Sequence, residues 1–296
     1  MKNKKISKRN LVCYICKSKK IKEIYLFKEY RILKCDSCGI IFTDQSELSK
    51  DMYNKEYFIK VHSKYFSDCL KDYDKIHDSE KLLAFKKGLG TIRIYKNQGK
   101  ILDIGCATGV FLDIARKNSW KVTGVDISKY ACEYAKKKFK LDVKQGEIED
   151  IKFPKKTFDV ITMWDTLEHV QNPNITLTEI RRILKDDGVL FIHTINEDSL
   201  MSKLAHLIYI ISFKKVKFFV KLIHPIHHNF HFSEKTLKDI LLSNQFLVIY
   251  KKKSELPVNN IEEGRFIKFI AMVLYFFSYL LNKQHEINLI CKKIDK

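Results

Sequence analysis

No stretch of the 296 residues supplies the roughly 20 uninterrupted apolar residues that a membrane-spanning helix needs. The two candidates are broken. Leu200 to Ile223 carries Lys203, Lys214, Lys215, Lys217 and Lys221, and Phe266 to Leu281 carries Lys268. No secretory leader is expected, since MKNKKISKRN runs straight into the first cysteine pair without an apolar core. The expected setting is therefore a reducing cytoplasm. Acid is scarce: 35 Asp and Glu stand against 55 Lys and Arg, a net charge of +20. Such an excess suits an anionic partner, nucleic acid or an anionic membrane face, but it also follows from lysine-rich usage on a solvated surface. The lysines occur in every segment and form no long block. An apolar fraction of 45% is ordinary, and the length leaves room for one large domain and one small one.

Four of the eight cysteines form two pairs, Cys13-Tyr-Ile-Cys16 and Cys35-Asp-Ser-Cys38, with 18 residues between Cys16 and Cys35. Four thiolates from two tight turns suit tetrahedral zinc, and a reducing compartment favours metal over disulfides. Gly39 follows the second pair, where a knuckle turn needs a residue without a β-carbon. Tyr30 to Lys34 and Ile40 to Thr43 read as short strands around it. The pattern is that of a zinc ribbon over residues 1–45, too small to build much core, so that the metal would supply its stability. Cys69, Cys106, Cys132 and Cys291 are scattered and read as free thiols, with Cys106 a small packing residue.

Residues 46–90 read as a helical linker in which Tyr53, Tyr57, Phe58, Tyr65, Phe66 and Tyr73 recur at roughly helical spacing. From residue 91 the pattern alternates. Strands are expected at Ile101–Ile104, Val122–Val125, Val143–Lys144, Val160–Met163, Val189–His193, Leu247–Lys252 and Ile287–Lys292. Helices are expected near Val110–Asn118, Lys129–Lys138 and Asn174–Leu184. This predicts an α/β fold around a parallel sheet covered on both faces.

The first of these strands opens into Leu102-Asp-Ile-Gly-Cys-Ala-Thr-Gly109, a small-residue turn before a helical pattern, and Asp126 stands 21 residues beyond Gly105. Such a turn lets backbone approach a nucleotide-sized ligand, and the acid after the next strand can reach a ribose. A carboxylate at Asp103 would repel a pyrophosphate but suits an ammonium or sulfonium. On charge, S-adenosylmethionine is favoured over NAD.

LDIGCATG, GVDIS (Gly124–Ser128), QGEIEDIKFPKKTFDVITMWDTLEHV (Gln145–Val170), LKDDGVLFIHTIN (Leu184–Asn196) and HFSEKTLKDILLSNQF (His231–Phe246) together resemble class I S-adenosylmethionine-dependent methyltransferases. One departure is Ala107, where that family usually has glycine. The resemblance implies a Rossmann-like seven-stranded sheet over residues 91–296, its last strand antiparallel. It implies cofactor contacts from Asp103 at the amino acid end, from Gly105, Ala107 and Gly109, from Asp126 and Ile127 at the ribose, from Glu147 and Ile148 around the adenine, and from Met163 beside the methionine part. In related enzymes a segment such as 46–90 lies across the pocket as a lid. A zinc ribbon beside such a domain is similar to enzymes of bacterial sugar and natural-product pathways, while the region around TLEHV resembles quinone-pathway methyltransferases.

Methyl transfer from a sulfonium needs alignment and, for a hydroxyl or carbon acid, a base. His169, beyond the fourth strand, and His228, in PIHHNFHFS, are the candidate catalytic residues. His224, His227 and His231 crowd beside His228, but no carboxylate or cysteine lies close in sequence, so a metal there is set aside. Ser233 reads as the N-cap of the following helix. The apolar insertions at 200–223 and 262–283 are expected to pack as core, form a dimer face, cover a greasy pocket or lie on an anionic bilayer. The expected function is methylation of a small-molecule, sugar or lipid-linked acceptor. The alternatives are a quinone or phenol O-methyltransferase at the inner membrane face, an RNA methyltransferase, or a cofactor-binding scaffold without turnover. Nucleic acid fits least, because the ribbon lacks a dense basic–aromatic face and Asp165-Thr-Leu-Glu stands where a base methylase carries Asn-Pro-Pro-Tyr.

Overall fold

The computed structural model describes residues 11–44, 80–255 and 265–294. The chain builds two sheets. In the first, β1 (Ile21–Leu26), β2 (Arg31–Cys35) and β3 (Ile41–Asp44) form an antiparallel meander, and β9 (Phe230–His231) pairs with β3 through Ile41–His231 and Phe42–Phe230. The second has seven strands in the order β10-β11-β8-β7-β4-β5-β6. Its members are β4 (Lys100–Ile104), β5 (Lys121–Asp126), β6 (Val143–Gln145), β7 (Phe158–Trp164), β8 (Leu184–Ile195), β10 (Phe246–Ser254) and β11 (Glu286–Lys293). Strands β4 to β8 are parallel, and β11 runs antiparallel to both β8 and β10. This is the Rossmann-like methyltransferase sheet that the motif order implies.

The central strands are apolar on both faces because both are covered. On one face Leu102, Ile104, Ile161, Met163, Leu190 and Ile192 pack with α4 (Pro173–Ile183) and α7 (Glu234–Ser243). On the other Ile101, Val160, Trp164, Val189 and Phe191 pack with α1 (Glu80–Tyr95), α2 (Val110–Lys117) and α3 (Lys129–Phe139). The boundary set at residue 90 falls inside α1, whose Leu82, Phe85, Leu89 and Ile92 belong to this second core. A β-carbon on Gly88 would stand 2.3 Å from the Trp164 ring, so only glycine lets α1 settle there. The aromatic series from Tyr53 to Tyr73 lies outside the described residues.

The cysteine-bearing unit is not a pendant. Leu33, Ile40 and Phe42 share one core with Leu177, Phe230, Phe232 and Leu237 of the large sheet domain. On its other side Tyr25, Phe27, Tyr30 and Ile32 pack with Ala205, Tyr209 and Val220 from the first apolar insertion, which forms α5 (Leu200–Ile211) and α6 (Phe218–Ile223). Tyr25 Oη meets His206 Nδ1 at 2.7 Å, and Tyr30 Oη donates to the His224 carbonyl at 2.6 Å. The second insertion forms α8 (Arg265–Leu280), which lies against α5. Among the described residues no helix is long and apolar enough to cross a membrane.

A methyl-donor cradle, a four-cysteine cluster and a histidine pocket

The cradle sits where β4 ends. Gly105, Ala107 and Gly109 all adopt positive φ, at 72°, 47° and 83°. The Gly105 and Cys106 amides both donate to the Val125 carbonyl, which ties the loop to β5. A β-carbon on Gly105 would lie 2.3 Å from Thr166 Oγ1. The same test at Gly109 meets Leu141 at 2.7 Å and Ala135 at 3.0 Å, so that glycine is demanded by the approach of α3. Ala107 holds its left-handed turn because its amide donates to Asp126 Oδ2 at 2.8 Å. The Ser128 amide donates to Asp126 Oδ1, also at 2.8 Å. A carboxylate has about four lone-pair positions, so Asp126 can brace the loop and still receive ribose hydroxyls.

Charge in the cradle is unbalanced toward acid. Asp103 is 2% exposed and accepts a 2.6 Å bond from Thr162 Oγ1. Burial lifts its carboxyl to about 8; Asp126 adds to this, while Thr162 and Lys81 oppose it. Burial also raises Asp126, against the pull of the Ser128 and Ala107 amides. Two buried carboxyl groups held above their ordinary range form a pocket that a cationic ligand would relieve, as an adenosyl sulfonium with its ammonium would. The residues present fit that group.

Two of the expected contact residues have their side chains in the core. Met163 is fully buried in the first core, paired with Ile104 and Ile192, and β7 runs one residue further to Trp164. Ile148 is also a core residue at 3% exposure. Strand and loop alternation turns both side chains toward the sheet-covering helices, whereas Ile127 and Glu147 are half-buried at the loop ends.

Beyond β7, Asp165 takes a left-handed turn at φ 47°. It bridges Lys81 of α1 and His193 Nδ1, the latter at 2.7 Å, and His193 Nε2 lies 3.5 Å from Glu286. Despite burial, His193 is raised to about 10 by Asp165 and then Glu286, so it stands as an imidazolium. The imidazolium and Lys81 hold Asp165 well below the usual carboxylate range, again against burial. This buried quartet, which pins the ends of β7, β8 and β11 beside the cradle, was not visible in the local sequence pattern.

His169 and His228 do come together, their ring centroids 4.7 Å apart, with His227 stacked on His169 at 5.5 Å. Burial depresses all three imidazoles below their ordinary value, so they are neutral at pH 7. The absence of carboxylates from the histidine stretch is corrected by the fold. Glu168 joins His169 and His228, and Glu197 joins His224 and His231, with one ligand atom of each residue within 4.8 Å of the others. Burial lifts Glu168 to about 8, reinforced by Asp165. Ser233 is the N-cap of α7, as its sequence position suggests, and closes a capping box with Thr236.

The four paired cysteines also converge. Cys13 and Cys35 are fully buried, and the Sγ pairs Cys13–Cys38 and Cys16–Cys35 stand 3.6 Å apart. A tetrahedron with metal–sulfur bonds of about 2.3 Å has edges of about 3.8 Å, which these separations match, whereas a disulfide would bring sulfurs to about 2.05 Å. Both knuckles are built alike. Lys17 and Gly39, each four residues past the first cysteine of its pair, take φ 61° and 78° and donate to the Cys13 and Cys35 carbonyls. Despite burial, Cys35 is drawn down to about 7 by the Cys38 and Ser37 amides, whereas burial pushes the Cys13 and Cys38 thiols up.

Cradle, sheet order and antiparallel last strand define an S-adenosylmethionine-dependent methyltransferase. Residues 76–251 match the family described as methyltransferase domain, and the chain belongs to that family. Among curated proteins it is 36% identical over 107 residues to the ubiquinone biosynthesis O-methyltransferase of Actinobacillus pleuropneumoniae, covering 33% of this chain and 46% of that protein. It is 37% identical over 103 residues to the protein of the same name in Pelagibacter ubique, covering 33% and 42%. The chain thus spans about half the length of these relatives. The solved geranyl diphosphate C-methyltransferase of Streptomyces coelicolor aligns with a TM-score of 0.54 at 14% identity, covering 76% of this chain and 86% of that one, which is a likeness of fold.

Proposed function

We propose that this enzyme moves the methyl group of S-adenosylmethionine to a hydroxyl of a lipid-linked or prenylated acceptor at an anionic membrane face, with zinc held by Cys13, Cys16, Cys35 and Cys38. The observation that carries the acceptor reading is the surface left by the two insertions. Helices α5 and α8 lie side by side and leave Ile211, Phe213, Met272, Phe276 and Leu280 exposed at 66%, 87%, 56%, 60% and 61%. Segments 200–233 and 265–285 contain no acidic residue and carry Lys203, Lys214, Lys215, Lys217, Lys221, Arg265, Lys268 and Lys283. Exposed apolar side chains in segments that are rich in lysine and free of acid match an anionic interface. Both segments also belong to the working end of the sheet. Helix α5 follows the end of β8, α8 leads into Glu286 opposite Ile195, and the Leu200 amide donates to the Lys283 carbonyl at 2.8 Å. The cradle lies at this same edge, after β4 and β5. The quinone-pathway names of the curated relatives support the same acceptor class.

S-adenosylmethionine, when bound, supplies a methyl group already activated on sulfur. Asp103 and Asp126 would hold its charged and ribose ends, and Gly105 would let the backbone approach. Glu168, His169 and His228 form the polar wall beside Thr166, and the two neutral imidazoles are the groups able to receive the acceptor's proton. The test pairs vesicle flotation with a transfer assay on prenylated phenols and on sugar nucleotides. The expected result is flotation with anionic but not zwitterionic vesicles, and turnover of the prenylated acceptor. Absence from anionic vesicles together with turnover of a soluble sugar nucleotide would overturn the proposal.

A further inference from the structure

We propose that Glu197, His224 and His231 hold a zinc ion of their own, which staples the first insertion to the end of β8 and to the ribbon sheet. The three residues come from three units. Glu197 follows β8, His224 caps the C-terminus of α6, and His231 ends β9. One ligand atom of each lies within 4.8 Å of the others. One carboxylate and two imidazoles, with a fourth position left for water, form a donor set that zinc takes.

The hydrogen bonds say where the lone pairs are. His224 Nδ1 lies 2.9 Å from the Val220 carbonyl, which can only accept, so Nδ1 carries the proton of a neutral ring. The lone pair is then on Nε2, which faces Glu197 Oε1 at 3.1 Å. The Thr43 hydroxyl gives its one proton to the His228 carbonyl, so its 3.2 Å contact with His231 is a bond received from Nε2–H. That leaves the His231 lone pair on Nδ1. Two such rings, their centroids 4.6 Å apart, stand beside one carboxylate. A second proton on His224 would answer Glu197 and do nothing for His231, whereas an ion answers all three. Charge-assisted N–H···O bonds run at about 2.7–2.9 Å. A zinc tetrahedron with bonds of about 2.0–2.1 Å has edges of about 3.3–3.4 Å. The 3.1 Å between Nε2 and Oε1 falls between the two, so a shift of a few tenths of an ångström admits the ion.

The three ligands are braced from behind. The His224 ring is held through Nδ1, and its carbonyl receives Tyr30 Oη at 2.6 Å. The Glu197 amide donates to the carbonyl of Phe232, the residue after His231, at 2.9 Å. His231 itself pairs with Ile41 of β3. Outer bonds of this kind orient donor atoms toward a metal. The surroundings are dry: His224 is 1% exposed and His231 6%, and the Tyr25 ring packs 5.0 Å from His224. Polar groups in such a shell are costly without a full set of partners. Closing the triad ties both ends of the segment from His224 to His231 to the end of β8, and that segment carries His227 and His228. Binding of the ion does not depend on the methyl-transfer reading above.

The test counts zinc in the purified full chain and reads its ligands by X-ray absorption. Two ions per chain are expected, one in the sulfur shell of the ribbon and one in a nitrogen and oxygen shell with imidazole scattering. Replacement by Co2+ separates the sites, because only ribbon-bound cobalt shows thiolate charge-transfer absorption. Loss of one outer partner typically weakens metal binding about 10–100-fold, so removing a ligand by Glu197→Gln or His224→Gln should weaken the second equivalent at least that much. The thiolate absorption should persist in both variants, which reports an intact ribbon. In wild-type protein, filling the second site should slow amide hydrogen exchange across residues 218–231, from α6 to β9. One zinc per chain, or two in sulfur shells alone, would overturn the site and leave Glu197 and His224 as a plain ion pair. A second equivalent undiminished in a variant that keeps the thiolate absorption would overturn it too. Unchanged exchange on filling would overturn the staple. Failure to find a lipid-linked acceptor would leave all of these readouts as they are.

Discussion

Thr43 is where the cysteine-bearing sheet touches the histidine segment of the proposed acceptor side, and a Thr43→Val variant isolates that contact without changing shape. The hydroxyl has one proton, given to the His228 carbonyl at 2.5 Å, so at the 3.2 Å contact it must accept from His231 Nε2–H. Thr43 is 3% exposed, His228 8% and His231 6%, so neither orphaned group gains water when the hydroxyl is lost. An unsatisfied buried group costs about 1–3 kcal/mol, and two give about 2–4 kcal/mol with the carbonyl at the low end, since its amide still anchors the loop. Urea denaturation should show this loss. Methyl transfer should fall further than stability implies, because a misplacement of about 1 Å in a reacting group can cost ~100-fold. S-adenosylhomocysteine affinity should not move, as the cradle is tied to β5 through Val125 and Asp126 and not through the ribbon. A valine variant with wild-type stability and turnover would refute the view that the ribbon positions His228. Lost cofactor affinity would refute the separation of the two sites.

Three further outcomes follow from the cradle and the thiolates. Asp103 stands at about 8 without a cationic ligand, and a bound ammonium or sulfonium favours its ionised form, so binding expels a proton. Affinity for the cofactor, measured by calorimetry between about pH 6 and pH 9, should therefore climb by up to about tenfold per unit until it levels above about 8. Asp103→Asn should bind more weakly and lose the Asp103 part of this slope; an unchanged profile would remove Asp103 from the ligand's charged end. Gly109→Ala should destabilise by about 2–4 kcal/mol, from positive φ and from overpacking against Leu141 and Ala135, whereas Ala107→Gly at φ 47° should be neutral or stabilising in the same melts. Chelation of the ribbon metal should lower the melting temperature and turnover together, because β3 carries both Thr43 and the pairing to β9; turnover that survives complete zinc loss would show that the ribbon is dispensable.

The large sheet was legible because its strands are buried on both faces and read as short apolar runs between helix patterns, as Ile101–Ile104 and Val160–Met163 do. The cradle and the cysteine knuckles were legible because their chemistry is packed into a few adjacent residues. Strand β1 was missed because Ile21–Leu26 leaves only Tyr25 buried, so its alternation is faint. The burial of Met163 and Ile148 was not legible because a motif position gives a residue's neighbourhood and not the face its side chain takes. The Lys81–Asp165–His193–Glu286 quartet and the carboxylates beside the histidines join residues far apart in the chain. No window of sequence contains both halves of such a contact.

That same long-range character joins the ribbon and the first insertion to the proposed acceptor side. A sheet of three short strands has little core of its own, and here it borrows one twice, from Phe230 and Phe232 on one side and from Tyr209 and Val220 on the other. The segment between those donors is Ile223 to Asn229, which carries His224, His227 and His228. Both of its ends are therefore fixed by the ribbon, through Tyr30 to the His224 carbonyl and through Thr43 to the His228 carbonyl. A thiolate cluster that held only itself together would need neither bond. One that sets the distance between His228 and the turn carrying Glu168 and His169 needs both, and on the proposed reading the cost of folding a unit around zinc is returned as rigidity where the methyl group would be received.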